Sequence, residues 1–157
     1  MSQIIKSIHL LFYLIIFFAN ANSESYVKAS ESLVWDSEKK SYTANGNVVF
    51  KNENFIAYSD KMIANYVEEN NDEIFTIIEL FDNVVIKFED ETIKGNYAIY
   101  TRNDNVIKLT GNVSIESPTR LLTGYELIAD IDNNKRILNS ANNDSLVEVL
   151  LDNNANN

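Results

Sequence analysis

The side chains able to do chemistry are nearly all of one kind. The chain carries 23 Asp and Glu, no Cys and a single His, His9. Without thiols there is no disulfide, no thiolate nucleophile and no Cys-based zinc site. One imidazole inside an apolar N-terminal run supplies no His-dependent triad and no His general base. Carboxylate chemistry remains, since a pair of acids can hydrolyse a glycoside. These acids, however, fall at outward strand positions or in turns and form no distinctive motif. Asp130-Ile131-Asp132-Asn133-Asn134 opens like a calcium loop. Lys135 then stands where such a loop requires Gly, and Ala141 where it requires Glu, so a hairpin turn is the better reading. Gly95 and Gly124 belong to no phosphate-binding loop. The residues describe a protein that is not an enzyme, with no catalytic residues, no metal site and no cofactor expected.

The elements that could position a binding surface are plainer. At 157 residues, with 45% hydrophobic and 11% aromatic side chains, the chain can bury the core of one domain. A net charge of -10 opposes nucleic-acid binding, which requires a basic surface. Four Gly and one Pro exclude flexible linkers, and the 23 Asn cluster where the apolar pattern breaks, as turns require.

The body of the chain repeats. Gly46-Asn47-Val48-Val49-Phe50-Lys51, Asp82-Asn83-Val84-Val85-Ile86-Lys87 and Gly111-Asn112-Val113-Ser114-Ile115-Glu116 lie 36 (82 − 46) and 29 (111 − 82) residues apart. The register continues without a gap, so that Ser59-Asp60 aligns with Gly95-Asn96 and Gly124-Tyr125. Within each unit apolar residues alternate with polar ones: Ile78, Leu80, Val84, Ile86 and Phe88 against Glu79 and Lys87. That period predicts half-buried antiparallel strands. The Gly46, Asp82 and Gly111 position keeps inward parity without bulk and predicts a bend. The parity then slips around Asp60-Lys61 and its equivalents, which predicts a β-bulge. Polar clusters at 36–40, 51–54, 68–72, 89–91, 102–105, 117–119 and 132–135 read as turns. The fold class is all-β, with a first strand from Val27 to Trp35 and a last from Ser145 to Leu151.

Residues 1–21 are set apart from this fold. Lys6, the apolar run Ile8 to Phe18 and the small residues of Ala19-Asn20-Ala21 form a secretory signal, with cleavage expected after Ala21. Residues 22–151 form the domain, and 152–157 an Asn-rich, disordered tail.

The repeat resembles the OstA-like (LptA) family of lipopolysaccharide transport proteins. The residues that carry the resemblance are Thr43-Ala44-Asn45-Gly46-Asn47-Val48-Val49-Phe50, then Ala57-Tyr58-Ser59-Asp60-Lys61-Met62, and again Lys108-Leu109-Thr110-Gly111-Asn112-Val113. Ser59, Asp82, Asn96 and Tyr125 depart from the family pattern. The resemblance implies an open, twisted, V-shaped β-jellyroll in the periplasm that shields lipid A acyl chains in an apolar groove. It implies head-to-tail homo-oligomers, and partnership with LptC-like and LptD-like domains by edge-strand addition. On this reading the groove is lined by the inward residues Val48, Phe50, Met62, Leu80, Val84, Ile86, Phe88, Ile99, Leu109, Val113, Ile115 and Leu127, with cations such as Lys61, Lys94, Arg102 and Arg120 at its rim. Two alternatives stay open: an LptC-like component anchored in the inner membrane by residues 1–21, and a structural periplasmic β-protein that binds no lipid.

Overall fold

The computed structural model describes residues 25–151. Residues 1–24, which include His9 and the expected signal segment, and the Asn-rich residues 152–157 lie outside the described residues. Ten strands form one antiparallel sheet: β1 (Tyr26–Lys28), β2 (Ser32–Asp36), β3 (Ser41–Lys51), β4 (Ile56–Glu69), β5 (Asp72–Lys87), β6 (Thr92–Thr101), β7 (Val106–Ser117), β8 (Arg120–Asp130), β9 (Lys135–Asn139) and β10 (Glu148–Leu151). Strands β3 to β8 run as a meander; β1 and β2 both pair with β3, and β9 and β10 both pair with β8. The all-β expectation holds, and the described residues contain no helix.

The long strands turn a corner at mid-length. Register shifts fall between Asn45/Val48, Tyr58/Lys61, Phe81/Val84, Lys94/Tyr97 and Thr110/Val113, one beside the next across the sheet. On β3, β5 and β7 the corner is a left-handed dipeptide: Gly46 (φ 77) with Asn47 (φ 40), Asp82 (φ 59) with Asn83 (φ 49), and Gly111 (φ 82) with Asn112 (φ 51). Gly and Asn enter this region at low cost, whereas other L-residues lose roughly 1–2 kcal/mol. The expected bend is therefore where the repeat places it. The extra residue of each bulge sits on the Gly-Asn strand, and the neighbouring strand crosses the corner with the exposed pair Asp60-Lys61. The short edge strands do not bend; they break. The chain between β1 and β2 is held to the corner by Ser30 N–H donating to the Gly46 carbonyl at 2.7 Å and Glu31 N–H to the Asn45 carbonyl at 3.1 Å.

The corner divides the sheet into two half-sheets, one holding the 41–45, 61–65, 77–81, 97–101, 106–110 and 126–130 segments, the other the 48–51, 56–59, 84–87, 92–95, 113–117 and 120–124 segments. Their inner faces meet in one cluster that includes Met62, Ile78, Leu80 and Leu109 from the first and Phe50, Ile86, Ile93 and Ile115 from the second. Phe50 contacts Phe75, with ring centroids 6.2 Å apart, and Phe55 contacts Tyr100 at 5.2 Å. Those contacts join the halves at their strand ends, opposite the corner.

Turn chemistry follows the Asn pattern. Asn70 (φ 52) and Asn71 (φ 70) make the two-residue β4–β5 hairpin turn. The supposed calcium loop is a hairpin whose Asp130 carboxylate accepts from Asn133 N–H at 3.0 Å and from its side-chain amide at 2.8 Å. The last strand begins at Glu148, so Ser145, Leu146 and Val147 precede it. β9 is the returning strand of the hairpin at Asp130, which pairs with Lys135.

A Cβ at Gly46 would lie 2.4 Å from Glu31 Cγ and 2.8 Å from Ser30 Oγ. Ser30 and Glu31 are exposed and can move aside, but the backbone cannot, so Gly46→Ala should destabilise the domain by ~1–2 kcal/mol. Asp82→Gly, at the equivalent corner, should stabilise it by up to about 1 kcal/mol. Urea denaturation midpoints of the two variants would have to move in opposite directions.

Candidate functional site

Each groove residue expected from the sequence has a definite place. Val48, Phe50, Met62, Leu80, Val84, Ile86, Leu109, Val113, Ile115 and Leu127 are all buried between the half-sheets, none more than 2% exposed. They form a filled core. Two residues differ. Phe88 lies just beyond β5 and is half-buried, packed against the core from the β5–β6 loop. Ile99 faces the other way: its neighbours Ala98 and Tyr100 are buried, and Ile99 pairs with Glu79 and Lys108 on the outer face. The corner at Asn96-Tyr97 inverts the parity, so Ile99 belongs to an outer row with Ile63 and Ile128.

The cations divide as well. Lys61 lies over the outward Phe81 ring at 5.7 Å, and Lys94 pairs with Glu116 at 3.5 Å with both side chains exposed. Arg102 and Arg120 instead line clefts between loops.

The strand ends opposite the corner hold an arrangement the sequence did not announce. Rings touch in an unbroken row: Tyr66 to Tyr42 at 5.4 Å, Tyr42 to Phe75 at 5.8 Å, Phe75 to Phe50, Phe50 to Phe55 at 5.8 Å, and Phe55 to both Phe88 and Tyr100. At the N-terminal edge Trp35 Nε1–H donates to the Tyr66 hydroxyl at 2.8 Å. At the C-terminal edge the Arg136 guanidinium covers Phe88 at 5.0 Å. The row thus crosses the sheet from one edge to the other along the seam where the half-sheets meet. Phe75 joins it through a second bulge: Asn65 pairs with Ile77 but Tyr66 with Phe75, so Thr76 is the extra residue. This bulge turns Phe75 inward, three residues from Ile78. Tyr42 donates to Glu73, which with burial pushes its phenol up to about 12. Tyr100 is raised chiefly by burial and donates to Asn105 Oδ1 at 3.1 Å. Both phenols therefore stay protonated near neutral pH.

One ion pair closes the seam. Arg136 on β9 meets Glu91 of the β5–β6 loop, with Nη2 to Oε1 at 2.6 Å and Nε to Oε1 at 2.7 Å. Their side chains are only 17% and 13% exposed, the least of any ion pair among the described residues. Arg136 Nη1 also donates to the Asp130 carbonyl at 3.3 Å, so the guanidinium is held on both sides. Beside it lies a cleft of about 590 Å³ lined by Phe88, Arg120, Ile131 and Asn134. A second cleft, of about 300 Å³, shares Asn54 with the first and continues along the seam over Phe50, Phe75 and Tyr100. Among the described residues, no three His, Cys, Asp or Glu side chains are grouped to hold a metal ion.

Arg136→Gln leaves the Glu91 carboxylate without its charged partner at a mostly buried site. It should cost about 1–3 kcal/mol and speed amide hydrogen exchange at Phe88 and Ile131. Lys94→Gln, which breaks an exposed pair, should change stability by less than about 1 kcal/mol. Equal effects would mean that the seam does not depend on the buried pair.

Comparison with known proteins comes to the same architecture. The family model described as LptA/(LptD N-terminal domain) LPS transport protein matches residues 26–135. Among solved structures, the crystal structure of LptH, the LptA homologous periplasmic component of the conserved lipopolysaccharide transport device from Pseudomonas aeruginosa, matches with a TM-score of 0.69. The identity is 11%, over 82% of this chain and 94% of that one, so the likeness is one of fold. No curated protein sequence matches the chain.

Proposed function

The chain belongs to the family of LptA and LptD N-terminal lipopolysaccharide transport domains, and we propose that it is a non-enzymatic periplasmic bridge that carries lipopolysaccharide between the two membranes. The observation that carries this reading is the seam. The half-sheets meet there through ring contacts and one ion pair, with no backbone pairing between them. They can part without breaking a strand ladder. Acyl chains would enter between them and lie against the inward residues, Phe50, Phe55 and Phe88 first. Ten methylenes moved from water onto this surface are worth about 8 kcal/mol, at about 0.8 each. That gain can offset the separation of side chains now in contact. The net charge of -10 gives anionic headgroups no long-range attraction, so burial rather than charge would hold the lipid.

The ends of the sheet supply the assembly surfaces. On β2, Leu33, Val34 and Trp35 are exposed; on β10, Val149, Leu150 and Leu151 are. Both are edge strands with apolar side chains and unpaired backbone groups, a combination that invites strand addition. Pairing the C-terminal edge of one copy with the N-terminal edge of the next is heterologous and open-ended. LptC-like and LptD-like domains would occupy the outer edges of such a row. Residues 1–21 would be removed on export, giving a mature protein that starts at Asn22.

Photo-crosslinkers at Phe50, Phe55 and Phe88 should capture lipopolysaccharide in cells, and one at the outward Lys87 should not. Equal capture at Lys87 would remove the seam as the lipid path. For assembly, Val149→Pro and Leu150→Pro are informative together. Backbone donors alternate in an edge strand, so one of the two positions faces outward, and proline there removes a donor that a second copy needs. One variant should stay monomeric at concentrations where the wild type grows in mass. Concentration-dependent growth by both would exclude β10 as the pairing edge.

A further inference from the structure

The cleft of about 300 Å³ beside Asn54 is unlike the rest of the seam. Its floor is aromatic: Phe50, Phe75 and Tyr100. Its walls are planar and polar, with the carboxamides of Asn52, Asn54, Asn103 and Asn105, the carboxylates of Glu53 and Asp132, and Arg102. The walls come from turns of both half-sheets, 51–55 on one side and 102–105 with 132 on the other. The polar groups are partly preorganised: Tyr100 donates to Asn105 Oδ1, and Asn105 Nδ2 donates to Asp132 Oδ1 at 2.6 Å. Asn52 Oδ1 accepts the N–H groups of Asn54 and Phe55, both at 2.9 Å, which fixes the opposite wall.

We infer that this cleft is a saccharide subsite that takes an uncharged sugar ring of the lipopolysaccharide glycan while the acyl chains lie deeper along the seam. This rests on the lipopolysaccharide reading above and adds where the sugar sits. Phe50 and Tyr100 are buried in the floor, and the half-buried Phe75 ring is the one whose face suits the C–H face of a pyranose. Carboxamides and carboxylates around the rim match neighbouring hydroxyls, each of which both donates and accepts. The volume lies at the lower limit of ordinary ligand pockets, about 300–1,000 Å³. Charge decides between sugar and phosphate: one cation faces two carboxylates, with Asp104 next in the same turn. The balance is negative and repels an anion. The Tyr100 phenol is raised chiefly by burial; Arg102 pulls it down while Glu53 and Asp132 push it up, so all three charges act at that one point.

The test uses the full exported chain and three probes: rough-type lipopolysaccharide, its deacylated and dephosphorylated glycan, and the same deacylated glycan with phosphates retained. The dephosphorylated glycan should shift the amide signals of Asn54, Arg102, Asn103 and Asp132 at millimolar concentration. Asn103→Ala and Arg102→Ala, both at exposed turn positions, should weaken lipopolysaccharide binding about tenfold while leaving palmitate binding unchanged. Unaltered lipopolysaccharide affinity in both variants would overturn the subsite and leave the transport reading standing. Binding of the phosphorylated glycan alone would show that the cleft recognises phosphate, and would also overturn it. Glycan shifts at the cleft in a chain that takes up neither lipopolysaccharide nor palmitate would support the subsite and sink the lipid reading.

Discussion

Everything in this domain depends on a backbone that can enter the left-handed region three times in register. The Gly46-Asn47, Asp82-Asn83 and Gly111-Asn112 corners let single strands of up to 16 residues serve both half-sheets. Without that corner the meander would be a flat sheet with one apolar face in water. With it, the same strand carries inward residues to both sides of one core, and the strand ends meet again at the seam. The choice of Gly and Asn at these positions is a backbone requirement, because most other side chains would strain there. Asp82 is the exception that the short polar side chain allows.

The corner also fixes where the domain can yield. Along the meander every strand is tied to its neighbours by a hydrogen-bonded ladder. At the seam the halves are tied only by rings, Phe75 with Phe50 and Phe55 with Tyr100, and by Arg136 with Glu91. Opening on that side leaves every ladder intact. A lipid carrier requires an interior that can exchange its own side-chain contacts for acyl chains. A core filled this tightly, with Phe50, Met62 and Leu80 almost wholly buried, is consistent with that role only if the halves separate. The buried ion pair suits such a closure, since a charged pair contributes little net stability over apolar packing yet fixes one closed geometry.

Much of this was legible in the sequence, because the repeat and period-two alternation report directly on strand faces. The corners followed from small residues at inward parity, and the hairpin turns from clustered Asn. Ten of the groove positions lay on the inner face for the same reason. The inward placing of Ile99 runs against the parity slip read at Asp60-Lys61 and its equivalents, which already turns Ala98 and Tyr100 inward and Ile99 outward. Phe75 was hidden by the bulge at Thr76, and Phe55 by its place in a turn, where periodicity says nothing. The partnership of Arg136 with Glu91 spans 45 residues and depends on two half-sheets closing, which no local pattern encodes. Leu146 reads as part of an apolar strand, yet the pairing with β8 begins only at Glu148.

The distribution of polarity along the seam ties these features together. The buried interior is apolar except for Ser41 and Ser59, while the turns that border it carry Asn, Asp, Glu and Arg. A ligand with long apolar tails and a large hydrated head requires that order: burial for the tails, a hydrogen-bonding rim for the head. The rim is nevertheless not basic. Lys61 and Lys94 lie away from it, Arg136 is engaged with Glu91, and Arg102 and Arg120 stand in clefts lined also by Glu53, Asp132, Glu89 and Asp90. Affinity must then come from the tails. A transport domain benefits from that order: a deep electrostatic trap would hold the cargo, whereas an apolar seam with a weakly recognising rim lets it move on.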